Sequence, residues 1–148
     1  MERMMGLDVG DRTIGIALSD PLMLTAQSLK TIKRGSLDRD LEELKEIIAE
    51  KGVGTLVIGI PKNMNGTIGS QGQKVITFSN YLKKRLQVEI VHWDERLTSK
   101  FAENLMLEGD VKRNKRKEKI DMMAAQNILQ SYMDSINNKN RRNENEQP

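Results

Sequence analysis

Three carboxylates occupy positions where the local sequence pattern predicts a buried or half-buried side chain. Asp8 lies inside the first apolar run, Glu95 follows a later strand-like segment, and Asp121 falls within the apolar face of the last predicted helix. An unpaired charge is costly at such a position, so each carboxylate needs a cation, a metal ion or an open cleft. Because the three acids come from separate elements, they could converge on one site in the folded chain.

A cluster of carboxylate oxygens is the ligand set that Mg²⁺ and Mn²⁺ prefer. Mg²⁺ takes few protein carboxylates and keeps several waters, which leaves room for a substrate phosphate. Two such ions about 4 Å apart could activate a water molecule and stabilise the leaving oxygen in phosphodiester hydrolysis. The spacing of the acids is therefore compatible with a metal site, although each acid alone could equally be a paired structural charge.

Length and composition restrict the class of protein. The 148 residues are enough for one domain with a hydrophobic core. The absence of cysteine excludes disulfides, thiolate zinc sites and cysteine nucleophiles. No apolar run approaches the roughly 20 residues of a membrane span, so we expect a soluble, cytoplasmic protein without a membrane partner. The net charge is only +3, so its distribution along the chain matters more than the total.

The hydrophobic periodicity predicts three consecutive strands, followed by helices and strands in alternation. The first two strands meet at a Gly10-Asp11 turn. The later elements are predicted as a third strand at 25–33, helices at 37–51 and 70–86, strands at 55–60 and 88–93, a helix after Thr98 or Ser99, and a last helix to about residue 136. This order predicts an α/β fold, a mixed sheet with helices on both faces, whose site lies at the carboxyl ends of the strands. We expect one domain over residues 1–136 and a disordered polar tail over 137–148.

A strongly basic segment precedes the helix that carries Asp121. Six of the eight residues from 112 to 119 are basic, and we predict them in a loop at the rim of the acidic site: Lys112, Arg113, Lys115, Arg116, Lys117 and Lys119. Such a loop would contact nucleic-acid phosphates, although it could also be a solvated loop. Lys62 and Arg96 are further candidates for phosphate contacts, and Arg96 could equally pair with a local acid. The lone His92 is predicted to be a packed core residue.

Beyond these generic patterns, the chain resembles the YqgF/RuvX family, which has an RNase H-like fold. The resemblance extends from Met4 to about Tyr132. Four blocks carry it: Gly6-Leu7-Asp8-Val9-Gly10 with Thr13-Ile14-Gly15-Ile16-Ala17 and Ser19-Asp20; Gly59-Ile60-Pro61 with Asn65-Gly66-Thr67; Asp94-Glu95-Arg96-Leu97-Thr98-Ser99; and Asp121 with Ala124-Ala125 and Ile128-Leu129. Two small departures, at Ile60 and Asn65, do not touch the three acids.

The resemblance implies that Asp8, Glu95 and Asp121 are the catalytic acids and the ligands of Mg²⁺ or Mn²⁺, with one or two ions. It also implies a five-stranded sheet of order 3-2-1-4-5 whose first three strands are antiparallel. Similar proteins are described as nucleases acting on the 5′ end of pre-16S ribosomal RNA, and also as Holliday-junction resolvases. We therefore expect a metal-dependent nuclease that acts on structured RNA in ribosome biogenesis, with pre-ribosomal particles as its setting.

Three other functions stay open from the sequence. A Holliday-junction resolvase of branched DNA would need a two-fold dimer for paired cuts, and no segment marks an obligate dimer face, so we expect a monomer. An actin-type ATPase would use the hairpin at Asp8 for phosphate, but it needs two such domains. A non-catalytic RNA-binding factor would tolerate removal of the three acids.

Overall fold

The computed structural model describes residues 2–98 and 113–146, and within the last helix it describes the side chains of 123–140. The elements are β1 (Arg3–Val9), β2 (Thr13–Ser19), β3 (Ala26–Lys33), α1 (Leu37–Lys51), β4 (Val53–Ile60), α2 (Ser70–Lys83), β5 (Glu89–Asp94) and α3 (Arg113–Glu146). A short 3-10 turn, Glu95–Leu97, follows β5 directly. Across these ranges no helix is long and apolar enough to cross a membrane.

The strands form one five-stranded sheet of order β3-β2-β1-β4-β5. β1 pairs antiparallel with β2, and β2 pairs antiparallel with β3. β4 runs parallel to β1, and β5 runs parallel to β4. The predicted α/β fold and strand order are therefore confirmed, and β1 is the central strand.

Alternation along the strands separates two hydrophobic cores, one on each face of the sheet. On the first face Leu7 and Ile58 pack with Leu44 of α1 and Leu82 of α2. The second face is covered by α3 and is built from smaller strand residues, such as Ala17 and Val57, with Ala125, Leu129 and Met133 from the helix. Because side chains alternate along β1, Gly6 and Asp8 share the face that α3 covers.

Two glycines allow α3 to lie directly on the sheet. A Cβ at Gly6 would be 2.8 Å from the Ala125 carbonyl oxygen and 2.8 Å from Leu129 Cβ. A Cβ at Gly59 would be 2.5 Å from Ile128 Cδ1. Real Cβ atoms do not approach so closely, so a side chain at Gly6 would push the helix backbone away from β1, and one at Gly59 would displace the side chain of Ile128.

The boundaries of α1 agree with the sequence prediction. Ser36 caps the helix, since its Oγ accepts a hydrogen bond from the Arg39 N–H at 3.2 Å. The helix ends at Gly52, whose φ of 66° is the left-handed conformation that glycine adopts without strain. α2, by contrast, ends at Lys83 rather than at residue 86, and β5 covers Glu89–Asp94 rather than 88–93.

The start and the end of α3 differ from the prediction. The helix begins at Arg113, so the backbone from 113 to 119 is helical rather than a loop. Lysine, arginine and glutamate are good helix formers, so this basic stretch can extend the helix that follows it. The helix also continues to Glu146, through the polar segment that we expected to be disordered after residue 136. Lys112 and the helix predicted after Thr98 or Ser99 lie outside the described residues, and the single-domain assignment stays a prediction.

Candidate active site

Asp8 lies near the carboxyl end of β1, where it pairs with Gly15 of β2. Its side chain is half-buried on the face that α3 covers. Because β4 and β5 run parallel to β1, the carboxyl ends of all three strands meet at one edge of the sheet. Glu95 follows β5 at this same edge, so the fold brings together two acids that are far apart in sequence.

The side chains of Asp8 and Glu95 are joined by a hydrogen bond. Glu95 reaches Asp8 across β4, at the position of Gly59. A Cβ at Gly59 would lie 2.8 Å from Glu95 Oε1 and 3.0 Å from Glu95 Cγ. The missing side chain at Gly59 therefore leaves the space that Glu95 occupies, and the same glycine also accepts Ile128 of α3.

Burial raises the pKa of Glu95, and the nearby charge of Asp94 raises it further, while the hydrogen bond from Asp8 opposes this rise. Two carboxyl groups in contact share a proton and carry one charge between them, unless a cation lies beside them and allows both to be charged. A half-buried pair of carboxylates, with only oxygen donors, fits a hard divalent cation such as Mg²⁺ or Mn²⁺. The described part of the site is therefore chemically suited to the predicted metal.

Asp94 has a different role from its neighbour Glu95. Its carboxylate accepts hydrogen bonds from Arg96 Nη2 at 2.7 Å and from Arg96 Nε at 3.1 Å. Lys62 Nζ lies 3.9 Å from the same carboxylate. The hydrogen bond from Arg96 lowers the pKa of Asp94, so this acid stays ionised. Arg96 therefore pairs with a local acid, which is one of its two predicted roles, and Lys62 lies beside the same carboxylate.

The same arginine also reaches the loop after β4. Arg96 Nη1 donates a hydrogen bond to the Met64 carbonyl oxygen at 3.3 Å. Asn63 and Thr67 close this loop, since the Asn63 N–H donates to the Thr67 carbonyl oxygen at 2.9 Å. Two of the predicted phosphate contacts, Lys62 and Arg96, therefore lie together beside Glu95.

Asp121 lies in α3, one helical turn before Ala125 and seven residues before Ile128. Those two residues contact the sheet at Gly6 and Gly59, and a helix repeats its face every three to four residues. Position 121 thus shares the helix face that meets β1 and β4. The side chain of Asp121 is outside the described set, so its convergence with Asp8 and Glu95 stays a prediction. Among side chains that the structure does describe, no three acidic or histidine residues form a metal-binding group.

The basic residues before Asp121 are placed only in part. The backbone of Arg113, Lys115, Arg116, Lys117 and Lys119 forms the beginning of α3. Their side chains lie outside the described set, so their contacts with nucleic acid also stay a prediction.

The sequence did not lead us to the role of Gly59, and it led to a wrong prediction for His92. Gly59 had a usable signal, because a glycine inside an apolar strand often marks the close approach of another group. The prediction that His92 is a packed core residue is wrong: the residue is exposed on the edge strand β5. Its Nε2 is hydrogen-bonded to Ser79 Oγ of α2 at 2.7 Å.

Solved structures with a similar fold include two enzymes of junction resolution. RuvC of Thermus thermophilus, in complex with a Holliday junction substrate, is 9% identical, with a TM-score of 0.58 over 89% of this chain and 94% of that one. The fowlpox virus resolvase, in complex with Holliday junction DNA, is 14% identical, with a TM-score of 0.55 over 90% of this chain and 98% of that one. At these identities the likeness shows the fold alone.

Sequence relatives are much closer. A protein of Clostridium tetani is 56% identical over 93% of this chain and 99% of its own length. A protein of Clostridioides difficile is 57% identical over 89% of this chain and 94% of its own length. Both carry names that assign them provisionally as pre-16S rRNA nucleases. The family model of RuvX, described as a Holliday junction resolvase, matches residues 2–135. The chain therefore belongs to the RuvX family.

Proposed function

We propose that this protein is a metal-dependent nuclease that hydrolyses phosphodiester bonds during maturation of the 5′ end of pre-16S ribosomal RNA. The observation that carries the proposal is the contact between Asp8 and Glu95 across Gly59, in a member of the RuvX family. The names of relatives that match over nearly their whole length support ribosomal RNA as the substrate. This substrate would place the protein in the cytoplasm, with pre-ribosomal particles as partners.

Asp8, Glu95 and Asp121 are the residues that would hold one or two Mg²⁺ or Mn²⁺ ions. Hard divalent cations of this kind supply a more acidic water and a counter-charge for the phosphate. Glu95 suits this role because burial already disfavours its charge, so a cation beside it is favourable. The hydrogen bond to Asp8 keeps both carboxyl groups at the same edge of the sheet.

The remaining residues of the site would bind and orient the nucleic acid. Lys62 and Arg96 stand beside Glu95, and both keep donor groups that Asp94 does not occupy, since a guanidinium has five N–H groups and an ammonium has three. The basic residues at the beginning of α3, together with Lys112, would extend this positive surface. Contacts of this type are made to phosphates, so they would position the RNA without reading its sequence.

Resolution of branched DNA is the second candidate, because the family model that matches this chain is described as a Holliday junction resolvase. A similar fold does not by itself determine which substrate a protein acts on. A resolvase cuts two strands symmetrically and would act as a dimer, whereas we propose that this chain acts as a monomer. Comparing RNA with a four-way DNA junction as substrates separates the two candidates.

The test is the substitution Asp8→Asn, assayed with RNA that contains the 5′ region of pre-16S rRNA and with a four-way DNA junction. We expect loss of nearly all RNA cleavage in Mg²⁺ or Mn²⁺, because the amide keeps the shape of the carboxylate but not its charge. Asp11→Asn is the matched control, since Asp11 is an exposed acid of the same hairpin. Cleavage by Asp8→Asn at the wild-type rate would contradict the proposal. If the wild-type protein cleaves the DNA junction and not the RNA, its substrate is branched DNA.

A further inference from the structure

Asp40 is a fully buried carboxylate that does not belong to the candidate active site. It lies in the first turn of α1, and its side chain is 0% exposed. Its Oδ1 accepts a hydrogen bond from the Gly35 N–H at 2.9 Å, and its Oδ2 accepts one from Arg34 Nε at 3.3 Å. A carboxylate buried to this degree needs such partners, so Arg34 and Asp40 depend on each other.

Arg34 uses the rest of its guanidinium to hold the turn between β1 and β2. Its Nη1 donates a hydrogen bond to the Gly10 carbonyl oxygen at 2.8 Å. Its backbone N–H donates to the Arg12 carbonyl oxygen at 2.8 Å. The guanidinium also lies over the ring of Phe78, 4.6 Å from its centroid, which fixes the plane of the group.

The turn held in this way follows Asp8 almost directly. Gly10 is two residues after Asp8, and its N–H donates to the Thr13 carbonyl oxygen at 2.8 Å. The last pair of the ladder between β1 and β2 is Val9 with Ile14, so Asp8 lies one residue from the end of regular pairing. A movement of the turn would therefore move the carboxylate of Asp8 relative to Glu95.

We propose that Arg34, held by Asp40 and Phe78, is a positioning residue that fixes the turn between β1 and β2 and thereby aligns Asp8 with Glu95. This inference rests on the proposed nuclease function. A lysine cannot replace the arginine, because one ammonium cannot span the Gly10 carbonyl and the Asp40 carboxylate in the fixed geometry of a guanidinium. A shift of about 1 Å in a catalytic group can cost about 100-fold in rate, even when the substitution is remote.

The experiment compares Arg34→Lys and Arg34→Gln with the wild-type protein. We expect kcat for RNA cleavage to fall by about 10-fold to 100-fold, while KM for RNA changes little, because no phosphate contact is removed. In the absence of RNA, the Gly10 amide should exchange its hydrogen faster, whereas the amides in the middle of β4 keep their protection. If exchange at Gly10 and kcat both stay at wild-type values, Arg34 has no positioning role.

Leu44→Ala is the matched control for lost stability. Leu44 is a buried residue of the same helix as Asp40, and its apolar side chain makes no hydrogen bond to the turn. If Leu44→Ala lowers the free energy of unfolding as much as the Arg34 substitutions do, it should still leave kcat and hydrogen exchange at Gly10 unchanged. If kcat falls as much in Leu44→Ala as in Arg34→Lys, the role of Arg34 is purely structural and the inference is overturned. If the wild-type protein cleaves neither RNA nor branched DNA, the proposed function fails, whereas the exchange measurement still decides whether Arg34 holds the turn.

Discussion

The two faces of the sheet are built on different principles. The face covered by α1 and α2 is filled with large aliphatic side chains, such as Leu7, Ile58 and Leu82, which are fully buried. The face covered by α3 replaces such side chains with Gly6 and Gly59 at the same central strands. The first arrangement maximises buried apolar surface, whereas the second gives up side-chain volume. What the second face gains is space at the carboxyl ends of β1 and β5 for Asp8 and Glu95.

Among the substitutions that compare the two faces, Gly59→Ala is expected to have the largest effect on activity. The added Cβ would meet Glu95 Oε1 and Ile128 Cδ1, so Glu95 must move away from Asp8. We expect nuclease activity to fall by about 100-fold, and the free energy of unfolding to fall by about 1–3 kcal/mol from overpacking. Initial cleavage rates and urea denaturation measure the two quantities.

Gly6→Ala is the matched control on the same face. Its added Cβ would meet the Ala125 carbonyl oxygen and Leu129 Cβ but would not touch Glu95. We expect a larger loss of stability, because the helix backbone cannot give way as a side-chain tip can, and a smaller loss of activity, because α3 and Asp121 shift while Glu95 keeps its contact with Asp8. Equal activity losses in the two variants would show that the position of α3, rather than the space for Glu95, limits the reaction.

On the first face, Leu82→Ala is expected to lower stability without lowering activity. Leu82 is fully buried in α2 and belongs to the aliphatic core. Its truncation should lower the free energy of unfolding by about 2–5 kcal/mol, because a cavity is left among well-packed neighbours. The kcat of the folded fraction should stay at the wild-type value. A loss of kcat at full folding would mean that the two faces are coupled.

The difference between the faces also explains what the sequence could predict. Long apolar patterns and end signals, such as Ser36 before α1 and Gly52 after it, define elements locally, so α1 was placed correctly. The likeness to the RuvX family supplied the strand order, which periodicity alone left open. Charged and polar segments carry little periodic information, and both ends of α3 were therefore misplaced.

The site was predictable only as a set of anomalous residue types. Asp8 and Glu95 each break a local rule, and the parallel alignment of β1, β4 and β5 brings them together. Gly59 signals the close approach of some group, but the identity of that group could not be foreseen, because it depends on which residues of β4 and β5 lie side by side. The sequence left the pairing of Arg96 with a local acid open as one of two alternatives, and the geometry of the 3-10 turn decides for Asp94.

The smallest effect concerns the pH dependence of stability on the first face, where His92 of β5 is hydrogen-bonded to Ser79 of α2. Partial desolvation of the imidazole ring against α2 lowers the pKa of His92, and the charge of Lys83 lowers it further. The folded protein therefore prefers the neutral imidazole, whereas the unfolded chain takes up a proton near the ordinary pKa of about 6.5. Stability should consequently decrease as the pH falls through this value, until the folded protein is protonated as well.

His92→Gln should flatten this part of the stability profile between about pH 7 and pH 5, since the chain contains no other histidine. Urea denaturation at several pH values, with the wild-type protein measured in parallel, gives the slopes. Glu95 acts in the opposite direction, because its raised pKa makes stability decrease as the pH rises, and this contribution is the same in both proteins. Identical slopes would show that the folded protein does not favour the neutral form of His92. The substitution should leave nuclease activity unchanged, because His92 faces α2 while Glu95 lies on the face of α3.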